Sequence, residues 1–316
     1  MEAELDAALV DAARSRIAPY VLRTPVLRSS PRAGLEILAK AESLQPTGAF
    51  KLRGAFSLMT TLPRNCPGVV AHSSGNHAQA VARAARVLGL RAVIVMPDDA
   101  PALKRRRTEA DGAEVVSVGP DSDERAQRAA EIAAREGLVP VPPFDHPLVA
   151  AGQGTSAVEL LEDVESLDSF WAPVSGGGLM AGCAVALHAR LPSLELVGVE
   201  PADGNDTALS LAAGQRVKVA PPRTIADGLR VRTPGERTWP VLRRHLARVS
   251  LVSDEELLDA MAFALRELRL VLEPSGAAAL AAALRDGRGR CGVLLSGGNA
   301  EPALVSEAAR RAARGP

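Results

Sequence analysis

Short apolar segments alternate with helix-forming segments through the middle of this 316-residue chain, and this alternation restricts its fold more than any other feature. Strand-like runs are predicted at residues 69–72, 92–96, 114–118 and 138–141. Consecutive runs are separated by a predicted helix that ends near a glycine. Strands connected through helices form a parallel sheet that is covered on both faces. The sequence therefore predicts a compact α/β lobe at residues 65–145.

The same alternation continues in the rest of the chain. Predicted helices cover residues 155–165, 181–190, 254–270 and 275–284, and predicted strands cover residues 24–27, 35–40, 169–172, 194–199 and 292–295. We therefore predict a large lobe made of residues 1–64 and 146–316, with the smaller lobe inserted between these two parts. A ligand is expected in the cleft between two such lobes, beyond the carboxyl ends of the strands.

Charge and composition exclude several classes of protein. Basic and acidic residues balance at 37 each and only 3% of residues are aromatic, which argues against nucleic-acid or anionic-membrane binding. The three cysteines are far apart and lack metal-site spacing, as is typical of reduced thiols. The N-terminus has no signal-peptide core, and no apolar run reaches membrane-spanning length. We expect a cytoplasmic protein that acts on a small molecule, without nucleic-acid or membrane partners.

Lys51 is the candidate nucleophile of the chain. It lies between Phe50 and Leu52, and it is one of only four lysines against a large excess of arginine. A desolvated lysine can lose its proton, whereas arginine cannot, and only the free amine adds to a carbonyl. The alternative is a structural lysine that extends its ammonium to the surface. The sequence around Lys51 leaves both interpretations open.

Two polar loops follow predicted strands, where open parallel sheets bind ligands. Ser73-Ser74-Gly75-Asn76-His77 precedes a predicted helix and offers hydroxyls and backbone N–H groups to a carboxylate. A simple helix cap would need only one of these residues. Ser175-Gly176-Gly177-Gly178-Leu179 can aim several backbone N–H groups at a phosphate, and the alternative is a flexible turn.

Two further segments carry weaker signals. Ser296 follows the last predicted strand, and its hydroxyl can face a heterocyclic nitrogen or cap the next helix. Residues 152–157 match the dinucleotide-binding pattern GxGxxA, but the segment before them contains Pro147 and is a poor strand. We interpret residues 152–157 as a tight turn that leads into a helix.

A reactive lysine, a phosphate loop, a carboxylate loop and a hydroxyl for a ring nitrogen are what pyridoxal phosphate requires. The sequence closely resembles the threonine dehydratase and serine racemase branch of the fold-type II pyridoxal phosphate enzymes. The resemblance is carried by Arg23–Pro25, Thr47–Ala55, Ser73–Gln79, Ala151–Thr155, Ser175–Leu179, Ala226–Gly228, Glu273–Gly276 and Ser296–Asn299. It implies a two-lobed α/β fold like that of tryptophan synthase β, with parallel sheets flanked by helices, an active site between the lobes, and a homodimer.

The resemblance also implies residue roles. Lys51 would carry the cofactor as a Schiff base and take the substrate Cα proton, and Ser74 would be the second catalytic residue, on the opposite face of the cofactor. The implied cofactor-binding residues are Phe50, Lys51, Asn76, Ser175, Gly176, Gly177, Gly178, Leu179, Gly228, Glu273 and Ser296. The implied substrate-binding residues are Ser73, Ser74, Asn76 and His77. Ser175 and Pro142 depart from the family, in which many members have glycine and histidine there.

An acidic segment, residues 200–206, is a candidate metal site. It follows a predicted strand and offers the oxygen ligands that hard divalent cations prefer. In the serine racemase branch the matching positions hold magnesium or calcium, so the resemblance implies Glu200, Asp206 and the Gly204 carbonyl as ligands of Mg²⁺ or Ca²⁺. The alternative is a solvated acidic loop.

Three functions are compatible with these features. The leading one is an ammonia-lyase (dehydratase) that converts L-threonine, L-serine or 3-hydroxyaspartate to a 2-keto acid and ammonia. The second is a serine or aspartate racemase, which would depend on Ser74. The third, from another class, is a non-catalytic dinucleotide-binding α/β protein, which rests on the GxGxxA match. Because the sequence ends soon after Asn299, we expect no C-terminal regulatory domain and therefore a role in amino-acid catabolism.

Overall fold

The computed structural model describes residues 4–73, 75–100, 102–119 and 122–314, and their strands form two sheets. In chain order the strands are β1 (Val26–Arg32), β2 (Leu35–Lys40), β3 (Val69–His72), β4 (Ala92–Pro97), β5 (Glu114–Val118), β6 (Val139–Pro140), β7 (Ser169–Pro173), β8 (Glu195–Pro201), β9 (Arg248–Val252) and β10 (Gly289–Leu294). The larger sheet has the strand order β1-β2-β10-β7-β8-β9 and the smaller sheet β5-β4-β3-β6.

Helices cover these sheets. They are α1 (Ala7–Ile17), α2 (Lys51–Met59), α3 (Asn76–Leu88), α4 (Ala102–Ala110), α5 (Ser122–Glu136), α6 (Pro147–Asp163), α7 (Gly178–His188), α8 (Asp206–Ala213), α9 (Trp239–His245), α10 (Asp254–Phe263), α11 (Pro274–Asp286) and α12 (Pro302–Ala313). A π-helical segment, Ala264–Leu268, continues α10. Among the described residues, no helix is both long and apolar enough to cross a bilayer.

The parallel sheets predicted from the alternating pattern are confirmed. All three strand pairs of the smaller sheet are parallel, and the register of β3 and β4 sets Val70 opposite Val93. In the larger sheet only β1 runs antiparallel to its neighbour. The buried strands are almost continuously apolar because helices cover them on both faces.

The prediction of a turn at residues 152–157 is wrong, because these residues lie inside α6. Gly152 and Gly154 let neighbouring helices approach closely, which a glycine-rich pattern does not distinguish from a turn. A Cβ atom built at Gly152 would lie 2.5 Å from the Arg53 carbonyl oxygen in α2, and one at Gly154 would lie 2.4 Å from the Gly182 oxygen in α7. The GxGxxA match therefore reflects helix packing, and it gives no support to the dinucleotide-binding alternative.

Several elements were not predicted in the region after residue 200. Strand β9 and helices α8, α9 and α12 lie outside the predicted ranges, and the predicted helix 254–270 changes to π-helical geometry at Ala264.

The predicted strand at 24–27 is displaced, since β1 begins only at Val26 and runs to Arg32.

Helix α2 packs into the hydrophobic core next to the smaller sheet. Leu52 and Phe56 are buried in the same apolar cluster as Val69 and Ile94 of the smaller sheet. Burial of a side chain of this size stabilises the fold by about 1.5–3 kcal/mol. The opposite side of α2 faces α6, where the backbone N–H of Gly54 donates to Gln153. The segment that carries Lys51 is thus fixed on two sides.

A buried ionic cluster holds α2 in place. Arg53 is fully buried and forms paired hydrogen bonds of 2.7–2.8 Å to both oxygens of Glu42 and of Glu159. Lys40 is also buried, and its Nζ lies 2.8 Å from Glu159. Two positive and two negative charges therefore balance within the cluster. Burial alone would raise the pKa of Glu42, but the adjacent Arg53 guanidinium holds that pKa below its ordinary value.

Replacing Arg53 should be far more costly than replacing an exposed arginine. The Arg53→Met variant leaves Glu42 without its main counterion in the interior, and removing one partner of a buried ion pair typically costs about 3–5 kcal/mol. The matched control is Arg14→Met, because Arg14 pairs with Glu162 at the surface, where such pairs contribute under about 1 kcal/mol. Urea denaturation measures both changes. Equal losses of unfolding free energy in the two variants would contradict the proposed importance of the cluster.

Candidate active site

The Lys51 amine faces the chain's own backbone. Lys51 is the first residue of α2, and its Nζ donates a hydrogen bond of 2.7 Å to the Pro143 carbonyl and lies 5.0 Å from the centroid of the Phe50 ring. Burial lowers the pKa of Lys51 to about 8. This increases the fraction of free amine at neutral pH and favours the nucleophile over a surface lysine.

The glycine loop 175–179 runs into the first turn of α7, which begins at Gly178. Ser175 has a φ angle of 54° and Gly177 a φ angle of 92°. A residue with a side chain would be strained at the Gly177 angle, whereas glycine is not. A Cβ atom at Gly176 would lie 2.5 Å from the Phe144 ring, so only glycine fits there. No side chain caps α7, whose first N–H groups are therefore available to an anion. This geometry suits the predicted phosphate site.

A series of hydrogen bonds joins several of the predicted cofactor residues. Ser175 Oγ donates to the Gly228 carbonyl at 3.1 Å, and the Gly228 N–H donates to Ser275 Oγ at 2.9 Å. The Ser296 hydroxyl is buried and lies 3.4 Å from the Ser275 carbonyl. The Phe50 N–H donates to the Ser296 carbonyl at 3.1 Å. The structure thus brings the phosphate loop, Gly228, Ser296 and the lysine segment into one site.

Asn76 and Glu273 meet on the other side of this site. Asn76 Nδ2 donates to Glu273 Oε1 at 2.5 Å, and Asn299 Nδ2 donates to Asn76 Oδ1 at 2.8 Å. Glu273 is buried, and both burial and the nearby Asp227 charge raise its pKa to about 7. A carboxyl group that is partly neutral at pH 7 can hold a proton close to Asn76.

The carboxylate loop is described in part. Ser73 Oγ accepts a hydrogen bond of 3.1 Å from the Gly75 N–H, whereas Ser74 lies outside the described residues. His77 is buried and its Nε2 lies 2.8 Å from the Val141 carbonyl. Burial and the Lys51 charge lower the pKa of His77 to about 3. The His77 ring is therefore neutral, and only its backbone N–H can assist an anion at the start of α3.

The acidic segment contains two buried carboxylates. Glu200 accepts hydrogen bonds from the Thr207 and Ala208 N–H groups at 3.1 and 3.0 Å. Both carboxylate oxygens of Asp206 are buried without a hydrogen-bond partner, and burial together with the Glu200 charge raises the Asp206 pKa. Among the described residues, no group of three or more His, Cys, Asp or Glu could hold a metal ion. A cation here would thus need carbonyl or water ligands besides the two carboxylates, as the ligand set with Gly204 predicts.

The sequence analysis missed several residues of the site. Phe144 underlies the glycine loop, and the Thr238 hydroxyl donates to the Gly176 carbonyl at 2.7 Å. Lys104 forms an ion pair with Asp227, next to Gly228. Phe144, Thr238 and Lys104 lie in none of the motifs that the sequence analysis identified. Asp227 lies in the motif Ala226–Gly228, but no role was predicted for it. The site fits pyridoxal phosphate, because it combines Lys51, a lysine of lowered pKa, with the uncapped, glycine-rich start of α7.

Comparison with known proteins gives the same classification. Residues 17–297 match the family described as pyridoxal-phosphate dependent enzyme. The chain is 42% identical to the L-threo-3-hydroxyaspartate ammonia-lyase of Saccharomyces cerevisiae, over 92% of this chain and 91% of that protein. It is 40% identical to the serine racemase of Schizosaccharomyces pombe, over 92% of this chain and 93% of that protein. The crystal structure of the T.th. threonine deaminase has a TM-score of 0.89 and 45% identity, covering 94% of this chain and 99% of that chain.

The chain belongs to the family of pyridoxal-phosphate dependent enzymes. The predicted fold-type II architecture, with parallel sheets flanked by helices, is confirmed. The predicted resemblance to the threonine dehydratase and serine racemase branch is also confirmed.

Lys51 should react with the cofactor aldehyde at lower pH than the other lysines. With a pKa near 8, its free-amine fraction at pH 7 exceeds that of an ordinary lysine by roughly two orders of magnitude. Labelling of the cofactor-free protein with pyridoxal phosphate and borohydride, followed by peptide mass spectrometry, should rise to half-maximum near pH 8 at Lys51. The exposed Lys218 serves as the internal control. Equal labelling of Lys51 and Lys218 at pH 7 would contradict a lowered pKa.

Proposed function

We propose that this protein is an ammonia-lyase that converts a β-hydroxy amino acid to a 2-keto acid and ammonia. The observation that carries the proposal is the Lys51 amine of lowered pKa on a segment that hydrogen bonds through Ser296 and Gly228 connect to the uncapped glycine loop. The names of the relatives, a hydroxyaspartate ammonia-lyase and a threonine deaminase, support this reaction class. The proposed substrates are L-threonine, L-serine and 3-hydroxyaspartate.

The chain's own residues account for binding and proton transfer. Pyridoxal phosphate, when bound, supplies a carbonyl for the substrate amine and an electron sink for the Cα electron pair. Lys51 would hold the cofactor at its aldehyde, and the 175–179 loop would hold the phosphate. The free Lys51 amine would then take the substrate Cα proton. Loss of the β-hydroxyl removes one water, and hydrolysis of the C–N bond restores it, so the net products are a 2-keto acid and ammonia.

The polar residues around Lys51 set the environment of this chemistry. Asn76 would bond the ring hydroxyl, and its own orientation is fixed by hydrogen bonds to Glu273 and Asn299. Ser296 would face the ring nitrogen as a neutral donor, which adds no charge there. The N-terminus of α3 would bind the substrate carboxylate through backbone N–H groups.

Serine racemization is the second candidate function. Its support is the 40% identity to the serine racemase of Schizosaccharomyces pombe, which is close to the identity with the ammonia-lyase. Racemization needs a proton donor on the face opposite Lys51, and we propose Ser74 for that role.

Product analysis distinguishes the two functions. Cofactor-loaded protein is incubated with L-serine, D-serine, L-threonine and the 3-hydroxyaspartate isomers, and keto acid, ammonia and enantiomeric composition are measured. We expect keto acid and ammonia in equal amounts, and their loss in the Lys51→Ala variant, because that variant lacks the amine that would hold the cofactor and take the Cα proton. Ser74→Ala should abolish any inversion of serine while leaving most elimination of the L-substrate. Inversion without keto acid would replace the lyase by a racemase.

We propose that Glu200, Asp206 and the Gly204 carbonyl bind Mg²⁺ or Ca²⁺. The support is the pair of buried carboxylates, of which Asp206 has no hydrogen-bond partner, since a cation would offset the cost of burying them.

Metal removal tests this site. We expect EDTA to lower the melting temperature and either cation to restore it, because a ligand that binds only the folded state stabilises it. The Asp206→Asn variant should melt at the same temperature with and without the cation. An Asp203→Asn variant is the matched control, since Asp203 is exposed and lies three residues away. No response of the unchanged protein to EDTA or cation would contradict the metal site.

Three further properties are proposed: the cytoplasmic location rests on composition, the division of the chain into residues 1–64 with 146–316 and residues 65–145 on the alternation of strands and helices, and the homodimer on the resemblance. Sedimentation that gives the mass of one chain would contradict the homodimer.

A further inference from the structure

A buried lysine of α4 pairs with a residue of the candidate site. The Lys104 residue is only 7% exposed, and its Nζ pairs with the carboxylate of Asp227. Asp227 belongs to the helical turn Asp227–Leu229 beside the larger sheet, next to Gly228. The Asp227 side chain is 43% exposed, so the two partners of this ion pair are in very different environments.

The Lys104 ammonium lies beside the proposed carboxylate loop. A Cβ atom built at Gly75 would be 3.9 Å from Lys104 Nζ. Gly75 immediately precedes α3, whose N-terminus receives no side-chain cap. An anion bound at this helix start is therefore close to a full positive charge as well as to backbone N–H groups.

Because Lys104 is buried and Asp227 is partly exposed, replacing Asp227 by another anion at Lys104 should cost little free energy. A buried ammonium needs an anion, because an unpaired buried charge is costly. Asp227 does not need Lys104 to the same degree, since water can solvate its exposed carboxylate and surface ion pairs are weak. Within the described part of the chain, Asp227 supplies the only carboxylate within ion-pair distance of Lys104.

We propose that Lys104 binds the carboxylate of the substrate, and that Asp227 occupies this position as a counterion until the substrate displaces it. The proposal deepens the function proposed above and rests on it for the identity of the substrate. In this proposal Asp227 weakens substrate binding, because its carboxylate competes with the substrate carboxylate for Lys104. Lys104 is expected to bind carboxylates in general. The proposed substrates are the carboxylates that also carry an amino group.

A simple latch between the two sheets is the competing explanation. Helix α4 makes a second contact of this kind, because Arg107 donates to Asn299 Oδ1 at 2.8 Å. A latch requires both members of the Lys104–Asp227 pair, so losing either one would have the same effect. An exchange of partners requires opposite effects, because Lys104 assists the ligand whereas Asp227 competes with it.

Calorimetric titration with propionate separates these explanations without any turnover. We expect Lys104→Met in the cofactor-loaded protein to weaken propionate binding by about tenfold or more, as for the loss of a charged hydrogen-bond donor. Asp227→Asn should strengthen binding about threefold or more, since the competing charge is removed. Lys104→Arg should retain part of the affinity. Lys218→Met is the matched control, because Lys218 is exposed, and it should bind propionate as the unchanged protein does.

Weaker binding in both Lys104→Met and Asp227→Asn would overturn the exchange and support a latch. Unchanged binding in both would also overturn it. Melting temperatures confirm that each variant is folded. Because propionate is not converted, this result stands apart from the lyase assay: a protein that binds propionate as expected but releases no keto acid would reject the proposed reaction and keep the role of Lys104. Where turnover is found, Lys104→Met should raise KM more than it lowers kcat.

Discussion

The ion cluster around Arg53 is the constraint on which the arrangement of the cleft depends. Arg53 follows Lys51 by two residues in α2, and its guanidinium bonds Glu42 and Glu159 through paired hydrogen bonds. Since the guanidinium is planar and stays protonated, it can donate paired hydrogen bonds to two carboxylates only in a narrow range of orientations. The first turn of α2, and with it the Lys51 amine, is therefore fixed relative to α6 and the segment after β2.

Close helix packing extends this constraint to the phosphate loop. Helix α6 contacts α2 at Gly152 and α7 at Gly154, and at both points a Cβ atom would lie within 2.5 Å of a backbone oxygen. In a closely packed interior, the position of one helix fixes the positions of the helices that pack against it. Because α7 begins at Gly178, the glycines of α6 help to set the distance between the lysine and the loop. Their role is to bring two halves of one site together.

Much of the site could be predicted because its residues lie in local motifs. A strand followed by small and polar residues and then a helix indicates a ligand loop without knowledge of the partner segments, and Ser175–Leu179 and Asn76 were assigned to the candidate site in this way. Residues 152–157 were misinterpreted because glycine permits both a turn and close helix contact, and only the neighbouring helices decide between them. Lys104 was missed, since a lysine in a helix with three following arginines resembles a solvated face.

The sequence by itself determined the alternation of strands and helices, the positions of the loops, and the family. These properties follow from local periodicity and short motifs, which are encoded within a few neighbouring residues. Only the tertiary structure decided that Glu273 meets Asn76, that Arg53 is neutralised by Glu42 and Glu159, and that Lys104 reaches Asp227. Each of these contacts joins residues far apart in the chain, and the pKa of a buried group depends on the charges and solvent that the folded chain places around it.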